Sequence, residues 1–115
     1  MIVSRTPYRI SFFGGGTDYP EWYLKNGGSV FSSTINKYCY ITVKYSTNLN
    51  AVHHKIIWTH IENVYSFKDI LHPAVREGLK QLKLDENKGL EIYHSGDLPA
   101  RTGIGSSSSF CVGLI

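Results

Sequence analysis

Cysteine is scarce in this chain. Cys39 and Cys111 are the only two among 115 residues, too few for a disulfide framework and without the paired spacing of a zinc site, so both are expected to remain reduced thiols. No apolar run approaches the roughly 20 residues that cross a bilayer. Met1-Ile2-Val3-Ser4-Arg5 lacks the charged start and apolar stretch of a secretory signal, which leads to the expectation of a cytoplasmic protein. Charge of one sign is also in short supply. Twelve Lys and Arg stand against nine Asp and Glu, a formal charge of +3, and the basic residues are scattered. That argues against nucleic acid as the principal ligand and leaves anionic small molecules. His53-His54 and His60 have no Cys, Asp or Glu cluster to complete a metal site and receive no role. No repeat, low-complexity tract or linker divides the chain, and a hydrophobic content of 42% suits one modest globular core.

Glycine and serine, by contrast, are concentrated. The stretch Leu98-Pro99-Ala100-Arg101-Thr102-Gly103-Ile104-Gly105-Ser106-Ser107-Ser108-Ser109 joins a glycine-punctuated turn to hydroxyls that open an apolar helix. Gly103 and Gly105 have no Cβ, so the backbone there can take positive φ and aim successive N–H groups at one point. The serines then occupy the first helical turn, where unpaired amides and the positive end of the helix dipole favour an anion. A nucleotide phosphate fits that description, and so does a plain flexible loop with a serine N-cap. The stretch is not a Walker A loop, because Ser106 follows Gly105 where a lysine is needed. It also fails as a dinucleotide fingerprint, since Ser108 replaces the third glycine and Pro99 breaks the strand-to-helix turn.

A second glycine loop lies near the start, in Arg5-Thr6-Pro7-Tyr8-Arg9-Ile10-Ser11-Phe12-Phe13-Gly14-Gly15-Gly16-Thr17-Asp18-Tyr19-Pro20. Gly14, Gly15 and Gly16 permit close backbone approach to a ligand, Asp18 accepts hydrogen bonds from hydroxyls, and Thr17 both donates and accepts. Sugars present such hydroxyls. Arg9 suits charge-assisted contacts to a phosphorylated substrate through its planar fork. The plainer reading makes Gly-Gly-Gly-Thr-Asp a turn, with Asp18 capping the helix that Pro20 begins; the two roles are compatible.

In this order the two loops resemble those of the GHMP small-molecule kinases, the family of galactokinase, homoserine kinase, mevalonate kinase and phosphomevalonate kinase. Within that family they look most like the bacterial D-glycero-D-manno-heptose 7-phosphate kinases. The resemblance implies a ribosomal S5 domain 2-like N-terminal domain in which residues 7–19 help form the substrate pocket and residues 99–109 wrap the ATP phosphates. It implies acceptor contacts from Arg9, Gly14, Gly15, Gly16, Thr17 and Asp18, with Asp18 orienting the sugar. It places Arg101, Gly103, Ile104, Gly105, Ser106, Ser107 and Ser108 around the phosphates, with the Ser107 hydroxyl a ligand to Mg²⁺. The implied reaction is transfer of the γ-phosphoryl group of Mg-ATP to the C1 hydroxyl of a heptose 7-phosphate, in the synthesis of bacterial surface-polysaccharide precursors. The implied partners are ATP and a sugar phosphate, with neither membrane nor nucleic acid. Another sugar kinase of the family, such as a fucokinase, and a binding unit without turnover remain the alternatives.

Two departures from the wider family stand out. Galactokinases place Glu-His before Thr-Asp in the first motif where this chain has Gly15 and Gly16, which argues against galactose. Arg101 stands where the phosphate loop commonly carries a glycine, bringing positive charge near the phosphates. The resemblance covers only the family's N-terminal part. The catalytic aspartate and third glycine-rich motif of the family lie downstream of the phosphate loop, so no catalytic residue is assigned, and residues 1–115 are expected to be a fragment inactive alone.

Hydrophobic periodicity and punctuation predict strands over residues 2–5, 8–13, 29–35, 38–45, 55–60 and 90–94, with a turn at Asn36-Lys37. Helices are expected over 20–26, closed by Gly27-Gly28, over 73–84, where Val75, Leu79 and Leu82 make a core stripe, and from the serines through 110–115. The order suggests an α+β domain, an antiparallel sheet with helices on one side. Phe110, Val112, Leu114 and Ile115 are expected to form an apolar helical end that nothing buries. Glu62, Asp69 and Asp97 are read as surface charge.

Overall fold

The structure, a computed structural model, describes residues 1–47, 53–99 and 105–115. The five strands are β1 (Ile2–Phe13), β2 (Phe31–Tyr45), β3 (His54–Ile57), β4 (Ile61–Val64) and β5 (Leu90–Gly96). They form one sheet in the order β1-β2-β5-β3-β4. The helices are α1 (Pro20–Asn26), α2 (Pro73–Leu82) and α3 (Ser106–Leu114), with 3₁₀ turns at Gly15–Asp18 and Phe67–Asp69. The fold is α+β as expected, and every neighbouring pair is antiparallel except β3 and β5. That parallel pair arises because the chain crosses over through β4 and α2 before returning as β5.

Several boundaries differ from expectation. The two short strands expected before Gly14 are a single strand, whose ladder is interrupted between Pro7 and Arg9. Proline has no N–H to donate there. Asn36-Lys37 is not a turn: opposite that interruption, Tyr38 pairs with Pro7 and Thr34 with Arg9, so residues 35–37 are absorbed as a bulge within one 15-residue strand. The strand expected over 55–60 ends at Ile57, and the chain folds back through a turn closed by Trp58 N–H donating to the His60 carbonyl, giving β4, which periodicity did not reveal. α2 stops at Leu82 because Lys83 adopts a left-handed conformation, φ 51°. Leu82 is consequently 38% exposed rather than core, whereas Val75 and Leu79 are buried.

α2 and α3 cover one face of the sheet. The core joins Tyr8, Cys39 and Ile41 of the long strands, Ile56, Leu90 and Ile92 of the shorter ones, Ile70, and Val75, Leu79, Phe110 and Leu114 of the helices. The apolar end of α3 is therefore only half as expected. Phe110 and Leu114, one turn apart, point inward, while Val112 and Ile115 remain 70% and 80% exposed. Cys39 is buried and Cys111 exposed, and both are free thiols. No helix among the described residues is long and apolar enough to cross a membrane.

Candidate phosphate and acceptor site

α3 begins at a left-handed glycine. Gly105 has φ 72° and ψ 30° and serves as N-cap without a side chain. Its carbonyl accepts the first helical bond, from Ser109 N–H at 2.9 Å, and a second from the Ser108 hydroxyl at 2.9 Å. The amides of Ser106, Ser107 and Ser108 precede the first helical donor, Ser109 N–H, so no carbonyl within the helix accepts from them and they are free to face an anion. The four serines divide by function. Ser108 closes the turn on Gly105, and Ser109, buried, donates to the Pro7 carbonyl at 3.0 Å and staples α3 to β1. Ser107 keeps an exposed hydroxyl. Arg101, Gly103 and Ile104 lie outside the described residues.

The two glycine loops meet through Arg9. Its Nη1 donates to Ser11 Oγ at 2.8 Å. Its Nε and Nη2 lie 3.6 and 3.7 Å from the point that a Cβ on Gly105 would occupy. The guanidinium thus sits beside the start of α3, closer to the phosphate loop than its place in the first motif suggested. Among the described residues it forms no salt bridge, so its charge adds to the positive helix end. Ser11, which sequence reasoning did not single out, orients that fork and also packs its Cβ 3.4 Å from the corresponding position on Gly15. Period-two alternation along β1 was the available signal, since it places residues 9 and 11 on one side.

The first loop is a folded turn. Gly14 has φ 82°, and a Cβ there would collide with the Ser29 carbonyl, so this backbone approach needs glycine. Thr17 donates its N–H and its hydroxyl to the Gly14 carbonyl at 2.9 and 2.8 Å, so its side chain chiefly closes the turn. Gly16 faces open space. The N-cap of α1 is Tyr19, with no side-chain cap bond, so Asp18 does not cap that helix. Asp18 is exposed and shares an open cleft with Thr17, Tyr23, Gly28, Ser29 and Val30. A carboxylate at the lip of such a cleft is placed to accept from polyol hydroxyls.

The remaining acids and histidines serve the scaffold. Glu62 is not surface charge: it is 5% exposed and accepts from Trp58 Nε1 at 2.8 Å, Leu71 N–H at 2.6 Å and His72 N–H at 3.2 Å, satisfying donors at the entry to α2. Asp97 is exposed, yet its carboxylate accepts from Tyr38 N–H at 2.8 Å and pins the end of β5 to β2. Asp69 is exposed as expected. His53 packs on Tyr65, His54 on Phe67 and His60 on Trp58.

No family model and no curated protein matches the chain. Solved structures do. The chain superposes over 99% of its length on a D-glycero-D-manno-heptose 1-phosphate kinase from Bacteriodes thetaiotaomicron, with TM-score 0.80 and 23% identity. Over 98% it matches the Methanococcus jannaschii mevalonate kinase, with TM-score 0.71 and 20% identity. Over 97% it matches Lactococcus lactis galactokinase complexed with galactose, with TM-score 0.65 and 23% identity. It spans 40%, 38% and 31% of those three chains. The shared feature is the fold, that of the N-terminal domain of GHMP kinases.

Proposed function

We propose that residues 1–115 are the N-terminal part of an ATP-dependent sugar kinase and carry its phosphate loop and one wall of its acceptor pocket. The observation that supports this most is the seat of Arg9: a guanidinium aligned by Ser11, beside the left-handed Gly105 that opens α3. In the proposed reaction an acceptor hydroxyl oxygen forms a bond to the γ-phosphorus of ATP, the bond from that phosphorus to the β–γ bridging oxygen breaks, and ADP leaves. Such chemistry depends on positioning and charge stabilisation. The amides of Ser106, Ser107 and Ser108 hold phosphate oxygens, and Arg9 adds a fixed cation where charge is transferred. The exposed Ser107 hydroxyl, a hard oxygen donor, fits Mg²⁺, which neutralises phosphate charge when bound with ATP. Asp18 orients the sugar.

For the acceptor we propose a heptose 7-phosphate modified at C1. Support comes from the sequence of both loops and from the fold shared with a heptose 1-phosphate kinase; the loss of Glu-His before Thr17 speaks against galactose. The reaction is assigned to the cytoplasm. Calorimetric titration of the complete kinase with Mg-ATP, wild type against Gly105→Val, tests the phosphate loop, and equal affinity would overturn the reading. A panel of sugars and sugar phosphates assayed with the complete kinase tests the acceptor. Preference for an unphosphorylated hexose would reject the heptose phosphate while leaving the kinase reading intact.

A further inference from the structure

The helix that presents the phosphate loop rests on a pair of histidines. Phe110 of α3 packs between His72, ring centroids 4.7 Å apart, and His94 of β5, 5.0 Å apart and edge-on. His72 is also the N-cap of α2: its Nδ1 accepts from Val75 N–H at 3.3 Å. An accepting Nδ1 requires the neutral ring with its proton on Nε2. Protonation would set a second N–H against that of Val75, uncapping α2, and would place positive charge beside both Phe110 and His94. α2 and α3 touch again where Leu114 lies against Gly78, so the two helices are anchored as one layer.

We infer that His72 and His94 are positioning residues for the phosphate-binding end of α3, holding Phe110 in place when neutral and loosening the helix, and with it anion affinity at residues 105–108, when protonated. The affinity clause rests on the phosphate-loop reading above; the helix clause does not.

Glu62 of β4 favours a proton on His72, and the Trp58 ring, 4.7 Å away and edge-on, separates His72 from His60. Arg76 of α2 is one turn on and occupied by the Ile70 carbonyl, and α3 carries no charged side chain. Burial outweighs Glu62 and pushes His72 below the ordinary histidine range. Burial, and secondarily His72 itself, push His94 down likewise. With folded values depressed, the unfolded chain takes up protons first. The clamp is therefore at full strength above the ordinary histidine value of about 6.5 and is lost as pH falls through the depressed values. His54, buried on β3 against Phe67, is shifted in the same direction by burial.

The test is a titration of the ligand-free complete kinase between pH 8 and 5, following histidine Cε1–H signals by NMR and amide-exchange protection in α3. Protection at residues 109–114, corrected for intrinsic exchange, should fall at least about tenfold as His72 and His94 titrate. His72→Asn keeps a capping acceptor without a titrating ring and should reduce that fall to under about threefold. Unchanged α3 protection in the wild type, or an ordinary or raised titration midpoint for His72, overturns the inference even if the variant fails to fold. A fall of equal size in a folded His72→Asn variant overturns it too. Mg-ATP affinity is then compared at pH 7.5 and 5.5; ATP itself gains a proton in this range, so the readout is the ratio of wild type to variant. A complete kinase that binds no Mg-ATP at either pH defeats the phosphate-loop reading, and the amide titration still decides the histidine clamp.

Discussion

Replacing Gly105 by alanine separates a phosphate loop from an ordinary helix start. At φ 72° the residue occupies the left-handed region, where a side chain costs about 1–2 kcal/mol. The new methyl would stand 3.2 Å from Ser108 Oγ and 3.6 Å from Arg9 Nε, so it would press on the turn-closing hydroxyl and on the guanidinium together. The variant can keep the left-handed turn and bear the strain, or relax and turn its amides away from the anion. In the second case the binding-competent form must be restored at about the same 1–2 kcal/mol, which lowers affinity by roughly 5- to 30-fold. Urea denaturation measures the first effect and calorimetry with Mg-ATP the second. Leu90→Ala, a buried position at the opposite end of β5 from the loop, is the matched control, and Glu62→Gln makes a separate prediction. Mg-ATP affinity within twofold of wild type and unchanged stability together would refute the reasoning, because neither the strain nor its relaxation would then be present.

Glu62→Gln itself should lose about 2–3 kcal/mol of stability, since one carboxylate oxygen becomes an amide that opposes a backbone or indole N–H; a loss under about 0.5 kcal/mol by urea denaturation would contradict the three-donor arrangement. Arg9→Lys retains the charge but not the fork that Ser11 aligns, and should weaken Mg-ATP binding about tenfold with little change in stability; equal affinity would remove Arg9 from the phosphate site. Asp18→Asn should weaken acceptor binding at least about tenfold, read from sugar-phosphate titrations of backbone amides near the cleft, while Mg-ATP affinity stays constant. Equal losses of both ligands would show that the two loops do not divide the work as described.

Local chemistry made much of the site legible. Gly105 was expected to allow a positive φ and adopts one; Gly14, read only as permitting close backbone approach, adopts one too. Helix signals worked where caps are local: Pro20 opens α1, and Gly105 precedes α3. Long strands were harder to delimit, because Asn36-Lys37 has the composition of a turn and becomes a bulge only through pairing with β1 around Pro7. β4 was missed for a similar reason. Its four residues carry too short a period, and it exists because β3 offers it a partner.

The sequence by itself determined where the backbone could bend tightly, which helix would open on a run of serines, and that a carboxylate follows the first glycine turn. Each of these is a property of residues adjacent in the chain. Tertiary structure decided which of those groups act together. It brought Arg9 from β1 to Gly105, a separation in sequence that no periodicity encodes, and it assigned Ser108 and Ser109 to the scaffold while leaving the Ser107 hydroxyl exposed. It also turned Glu62 from an apparent surface acid into a buried acceptor and set Phe110 between two histidines from different elements. Such roles depend on burial and on donors arriving from distant segments, and both are fixed only when the helices close over the sheet.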